Sequence, residues 1–155
     1  MIVAGTGHRP KYCPCGYAER HPWLQVLRTM LYEELMESSF HTVITGMAIG
    51  FDTWLAEAAL KANLNVHAYV PFREQGSKWP SKSRAKYNEI LEAAKEVRYI
   101  NEEYSSKAFL ERDRAMIDAA DHVYALLSPE VTSGGTFYTV NYAQEQGKPV
   151  TNFWR

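Results

Sequence analysis

Two hydrophobic rhythms alternate along this chain from end to end: short apolar runs, and stripes that repeat every three or four residues. Residues 2–5 form a short apolar run closed by glycine, the pattern of a buried strand. Leu24, Leu27, Leu31 and Leu35 then recur at helical spacing and predict an amphipathic helix over residues 22–37. Strands are predicted at 41–45, 66–70, 97–100, 122–127 and 149–153. They are separated by helices at 52–62, 82–95, 106–120 and 135–146. Apolar strands that take turns with helices predict an α/β fold with a mostly parallel sheet covered on both faces.

In such a sheet, ligands bind beyond the carboxyl ends of the strands. Each unusual loop follows a strand: residues 6–17, 46–51, 72–79 and 128–134. They are expected to gather at one sheet edge. The 71–80 stretch, with Arg73, Gln75, Lys78 and Trp79, reads either as a lid or as a solvated loop.

Composition narrows the classes. At 155 residues, with 46% apolar and 23% charged residues, the chain reads as a single domain, 1–155, with one sizeable core. No apolar run nears the ~18 residues of a membrane span, and polar residues by Thr6 argue against a leader. A net charge of −1 gives no global field for nucleic acid. Two cysteines are too few for a disulfide framework, and a cytoplasmic location is expected. Cys13-Pro14-Cys15 matches no usual zinc spacing and reads as a surface loop with reduced thiols, so no metal and no cofactor is expected.

The candidate chemistry lies in those loops. Ser133-Gly134-Gly135-Thr136 joins a strand to a helix, where glycine-freed amides and the helix dipole favour an anion such as phosphate. Gly5-Thr6-Gly7-His8-Arg9-Pro10 follows the first strand. Gly7 would admit a ligand to the backbone, Arg9 could pair with phosphate, and His8 could meet a ribose or base. In Thr45-Gly46-Met47-Ala48-Ile49-Gly50-Phe51-Asp52, Gly46 and Gly50 suggest a second backbone cradle. Asp52 sits where an N-cap is favoured, or could contact a ribose hydroxyl.

At about 100° per residue, Phe109, Met116 and Ala120 make one apolar stripe, with Asp113 inside it and Arg112 on its border. A carboxylate on a buried face must be paired or face a pocket. Asp113 therefore either bridges to Arg112 or Arg114, or lines a site with Arg112. Glu111 and Arg114 read as surface residues, and Tyr138 and Tyr142 as packing residues. Lys82, Arg84 and Lys86 read as a solvated helix face.

These motifs resemble the SLOG superfamily, which contains the DNA-processing protein A and Lonely Guy families. Thr45 to Asp52 is similar to the Ser-Gly-x-Ala-x-Gly-x-Asp loop of the DNA-processing branch. Arg112-Asp113 with Met116, then Ala120-Asp121, resembles the Arg-x-x-x-Met…Ala-Asp helix of Lonely Guy phosphoribohydrolases. Gly134 to Ala143, together with Gly7-His8-Arg9-Pro10, is most similar to the small stand-alone YpsA-type proteins.

The resemblance implies a Rossmann-like three-layer α/β/α domain that binds a nucleotide, derived from NAD or ADP-ribose and including cyclic forms, as a sensor or sequestering protein. It implies ligand contacts from Gly7, His8, Arg9, Gly46, Gly50, Asp52, Arg112, Asp113, Ser133, Gly134, Gly135 and Thr136. The expected partners are a small nucleotide and further copies of the chain, with neither membrane nor nucleic acid.

Lonely Guy enzymes carry a catalytic glutamate in Pro-Gly-Gly-x-Gly-Thr-x-x-Glu. Aligning Gly135-Thr136 with that Gly-Thr puts Thr139 at the glutamate position, and threonine carries no charge for N-glycosidic hydrolysis. An enzymatic alternative, a nucleoside 5′-monophosphate N-glycosidase, would need Asp113, Asp52 or Glu57 as replacement. A weaker alternative is single-stranded DNA binding.

Overall fold

The computed structural model describes residues 1–155. In chain order the elements are β1 (Ile2–Gly7), α1 (Pro22–Glu37), β2 (Thr42–Thr45), α2 (Phe51–Lys61), β3 (Asn65–Phe72) and α3 (Ser81–Ala93). They continue with β4 (Glu96–Asn101), α4 (Ala108–Asp118), β5 (His122–Leu126), α5 (Gly135–Glu145) and β6 (Val150–Asn152). A 3-10 turn at Pro10–Tyr12, which hydrophobic periodicity does not reveal, interrupts the loop after β1.

The six strands form one sheet in the order β4-β3-β2-β1-β5-β6, and every neighbouring pair is parallel. This is the expected Rossmann-like α/β fold. Strand alternation sends successive side chains into opposite layers. Val3, Val43, Val66 and Tyr124 face the larger core shared with α1, α2 and α3. Their neighbours Ala4, Ile44 and Val123 face the smaller core against α4 and α5.

Helix α1 shows how local sequence sets an element. Pro22 occupies its first turn, and the His21 ring accepts from the Trp23 amide at 3.1 Å. The proline has no amide to satisfy, and the imidazole caps one that would otherwise be unpaired. Leu24, Leu27, Leu31 and Leu35 are all buried on the face that meets the sheet.

The chain order also places the site. From β1 it steps outward through β2, β3 and β4, then crosses back to lay β5 on the other side of β1. At that reversal the loops leaving β1 and β5 diverge and open a crevice.

Candidate functional site

The crevice is a cleft of about 530 Å³, within the ~300–1,000 Å³ range of small-molecule sites. Its walls are residues 5–9 with Lys11 and Tyr12 after β1, Ala48 and Asp52 after β2, Phe109, Arg112 and Asp113 on α4, and Val131 with residues 133–136 before and at the start of α5. The 72–79 loop does not reach it. That loop lines a separate hollow with Glu102, Glu103 and Tyr104. Arg73 forks onto Glu102, and the buried Gln75 amide donates to the Gly46 and Met47 carbonyls at 3.3 and 3.4 Å. The loop is a tethered wall and not a lid over the cleft.

The start of α5 is open. Its N-cap, Gly134, sits at φ +94°, a region that favours glycine, and supplies no side-chain cap. The first bond of the helix runs from the Tyr138 amide to the Gly134 carbonyl at 3.0 Å. The amides of Gly135, Thr136 and Phe137 are left without helical acceptors, the normal condition of a helix start. No acidic residue lies in this first turn, and no atom lies within 4 Å of where a Cβ on Gly134 or Gly135 would stand. An anion can approach these amides and gain from the dipole.

The start of α2 is closed. Gly50 is its N-cap at φ +108°, but a Cβ there would fall 2.7 Å from the His8 carbonyl. Phe51 donates its amide to that carbonyl at 3.3 Å. Asp52 lies inside the first turn and is not the N-cap that the sequence suggests. Its carboxylate reaches back to accept from the Ala48 amide at 3.1 Å, so the chain supplies its own anion here. Burial raises the Asp52 carboxyl to about 6, and nearby Arg112 and the Ala48 amide only partly oppose it. Gly46 and Gly50 frame this closed turn, and neither lines the cleft.

Arg112 and Asp113 meet both expectations for a carboxylate within an apolar stripe: they pair with each other and both line the cleft. Arg112 Nε donates to Asp113 at 2.6 Å, and its Nη1 donates to the Gly46 carbonyl. A side chain on Gly46 would overlap that guanidinium. Arg112 therefore ties α4 to the β2–α2 turn, using two of its five N–H donors. The other oxygen of Asp113 accepts from Thr139 at 3.0 Å, while Thr139 also lies 2.8 Å from the Gly135 carbonyl. Position 139 therefore points at a carboxylate supplied by the facing helix. Arg114 instead stacks over Tyr142, 5.4 Å from its ring centroid.

On the β1 side, the Ser128 amide donates to His8 Nε2 at 2.9 Å. That bond assigns the ring proton to Nδ1, and burial lowers the histidine's pKa, so the neutral form is favoured. Gly7 lines the cleft, and its missing side chain also makes room for the Phe51 ring. Arg9 is an exposed cation at the rim. Lys11, Tyr12 and Phe109 also line the cleft. Sequence reasoning did not assign Lys11 and Tyr12 to the site, although both sit in a post-strand loop with a histidine and an arginine.

Other expectations are corrected. Glu57 is far from this chemistry: it faces Lys86 at 3.5 Å and Arg28 at 4.0 Å, and it does not line the cleft. Lys86 is thereby a bridging residue and not simply solvated. Tyr138 is exposed and not packed, while the Tyr142 hydroxyl donates to Asp118 at 2.6 Å. Cys13 and Cys15 are free thiols buried in the core, not surface groups, and burial pushes Cys13 up to about 12.

This cleft, built from a glycine-led helix start and an arginine–aspartate pair, can be set beside known proteins. The family model for YpsA, described as the YspA SLOG family, matches residues 3–152. The chain belongs to the YspA SLOG family. It is 27% identical to UPF0398 protein BH1768 of Halalkalibacterium halodurans over 111 residues, which is 67% of this chain and 59% of that relative. The chain thus spans about three fifths of that relative's length.

Two solved structures share the SLOG member's fold. DNA processing protein A from Helicobacter pylori, which has a single-stranded DNA binding mode, aligns with a TM-score of 0.68 at 21% identity, covering 98% of this chain and 64% of that one. The molybdenum cofactor carrier protein from Chlamydomonas reinhardtii aligns at 0.62 and 16% identity, covering 99% and 77%. No helix of the chain is long and apolar enough to cross a membrane.

Proposed function

We propose that this SLOG-family chain binds a nucleotide in the cleft between β1 and β5, as a sensor or sequestering protein for an NAD- or ADP-ribose-derived molecule, cyclic forms included. The observation that carries this reading is the start of α5: uncapped, free of acidic residues, glycine-led and open to the cleft. The phosphate sits on the amides of residues 135–137, with Ser133, Gly134 and Thr136 around it and Arg9 and Lys11 as rim cations. Asp113, Asp52 and His8 take the ribose and base side. Arg112 holds Asp113 in place and braces the wall. Because the cleft is open, a second copy that covers its mouth belongs to this reading. A ligand-loaded chain that stays strictly monomeric in light scattering would count against that part.

Incubation with AMP, CMP, NAD, ADP-ribose and cyclic ADP-ribose, followed by isolation, denaturation and mass spectrometry, tests the proposal. Recovery of one intact nucleotide is the expected result. Binding of none would overturn it.

One observation favours the N-glycosidase alternative. Asp113 presents a carboxylate where position 139 points, and Asp52, with a carboxyl raised to about 6, lines the same cleft. Two carboxyls in unlike environments are the raw material of acid and base roles. Release of free base with ribose phosphate, abolished by Asp113→Ala or Asp52→Ala, would favour this alternative over simple binding. Single-stranded DNA binding, suggested by the structural likeness to DNA processing protein A, requires a steep salt dependence of oligonucleotide affinity, which a net charge of −1 does not favour.

A further inference from the structure

We infer that Tyr12 is the stacking platform for the ligand's aromatic base, with His8 Nδ1–H beside it as the donor that reads an acceptor on the base edge. This deepens the nucleotide reading of the cleft and rests on it. Tyr12 is 55% exposed and lines the cleft, so its ring is within reach of a ligand held there.

The backbone beneath the ring is fixed by the 3-10 turn. Pro10 is buried at the start of the 3-10 turn, the Tyr12 amide donates to the Arg9 carbonyl at 3.0 Å, and the Cys13 amide donates to the Pro10 carbonyl at 2.9 Å. The His8 ring supports Tyr12 at 5.8 Å between centroids, tilted by 47°. The Lys11 ammonium rests over the Tyr12 ring, 4.9 Å from its centroid. That contact covers one face of the ring with a flexible, exposed lysine, which a flat base would displace. Lys11 is then released toward the phosphate.

His8 completes the device. Its Nε2 is fixed as an acceptor by the Ser128 amide, so Nδ1 carries a proton that no protein group accepts. A base lying on Tyr12 with a ring nitrogen or carbonyl at its edge would accept that proton. Sugar phosphates without a base keep the phosphate and ribose contacts and lack the stacking on Tyr12.

The test compares AMP and ADP-ribose with ribose 5-phosphate, by calorimetry, on the wild-type chain and on Tyr12→Ala, Tyr12→Phe and Tyr12→Trp. Tyr12→Ala is expected to weaken the base-bearing ligands by about tenfold or more, in line with the loss of one base-stacking contact, and to leave ribose 5-phosphate unchanged. The Phe and Trp variants are expected to keep affinity near wild type. Equal loss for ribose 5-phosphate, or no loss for any ligand, would overturn the platform while leaving the cleft reading intact. A wild-type chain that binds none of the three ligands would overturn the cleft reading, and the platform with it.

Discussion

Helices α2 and α5 begin alike in sequence and differ in what their first turns hold. Both follow a strand of the sheet, both have glycine at the N-cap with positive φ, and neither has a side-chain cap. At α2 the glycine lies against the His8 carbonyl, and Asp52 brings a carboxylate into the first turn. At α5 nothing stands near the glycines, and no acid follows. The same backbone device therefore closes a wall in one place and leaves the first amides of the helix open to the cleft in the other. A glycine-led helix start is a site only when the chain has not already filled it.

Five substitutions sharpen or break this contrast. The largest effect is expected from Arg112→Ala. Arg112 pairs with Asp113 and holds the Gly46 carbonyl, so its loss leaves the Asp113 carboxylate without its cation and cuts the tie between α4 and the β2–α2 turn. Urea denaturation should show a loss of about 3–5 kcal/mol. A loss under 1 kcal/mol would mean that the closed turn does not depend on this brace.

Next comes Gly50→Ala, expected to cost about 2–4 kcal/mol because it combines backbone strain at φ +108° with a clash against the His8 carbonyl. Gly134→Ala has the strain without the clash and should cost about 1–2 kcal/mol. Equal costs for the two would erase the packing difference between the turns.

Asp52→Asn probes the anion that α2 supplies for itself. The folded chain holds this proton more tightly than the unfolded one, with the carboxyl raised from 3.8 to about 6. Wild-type stability should therefore fall as pH rises through that window. Asn cannot ionise, so the variant should be more stable than wild type at pH 7, by about 1–3 kcal/mol, with the gap closing toward pH 4. A gap that widens on acidification would reverse the sign assigned here.

The smallest stability effect belongs to Gly135→Ala, within about 0.5 kcal/mol by thermal unfolding, because a Cβ there meets nothing. Its ligand affinity is nevertheless expected to fall, since the methyl stands where phosphate would approach. Unchanged affinity would argue that the anion lies elsewhere.

The layers of the fold were legible because burial imposes periodicity. The α1 leucines and the short apolar runs can be satisfied only by helices over a sheet, and element positions followed within a few residues. The cleft was legible as a set of loops, because parallel strands deliver their carboxyl ends to one edge. What escaped depends on contacts between distant residues. Nothing local says that Arg112 is committed to the Gly46 carbonyl, 66 positions away in the chain. Nothing local says that Glu57 turns toward Lys86 and Arg28. Asp52 looked like a cap because its residue type fits one, yet the helix begins earlier, at Phe51, where Gly50 permits the turn. Tyr12 escaped because a 3-10 turn has too short a repeat to leave a hydrophobic pattern.

The central claim, that α5 and not α2 receives the ligand's phosphate, is tested most directly by following backbone amide resonances while AMP or ADP-ribose is added. The largest shifts are expected at Gly135, Thr136 and Phe137, with Phe51 and Thr53 nearly still. Large shifts at the start of α2, or none at the start of α5 under saturating ligand, would contradict it.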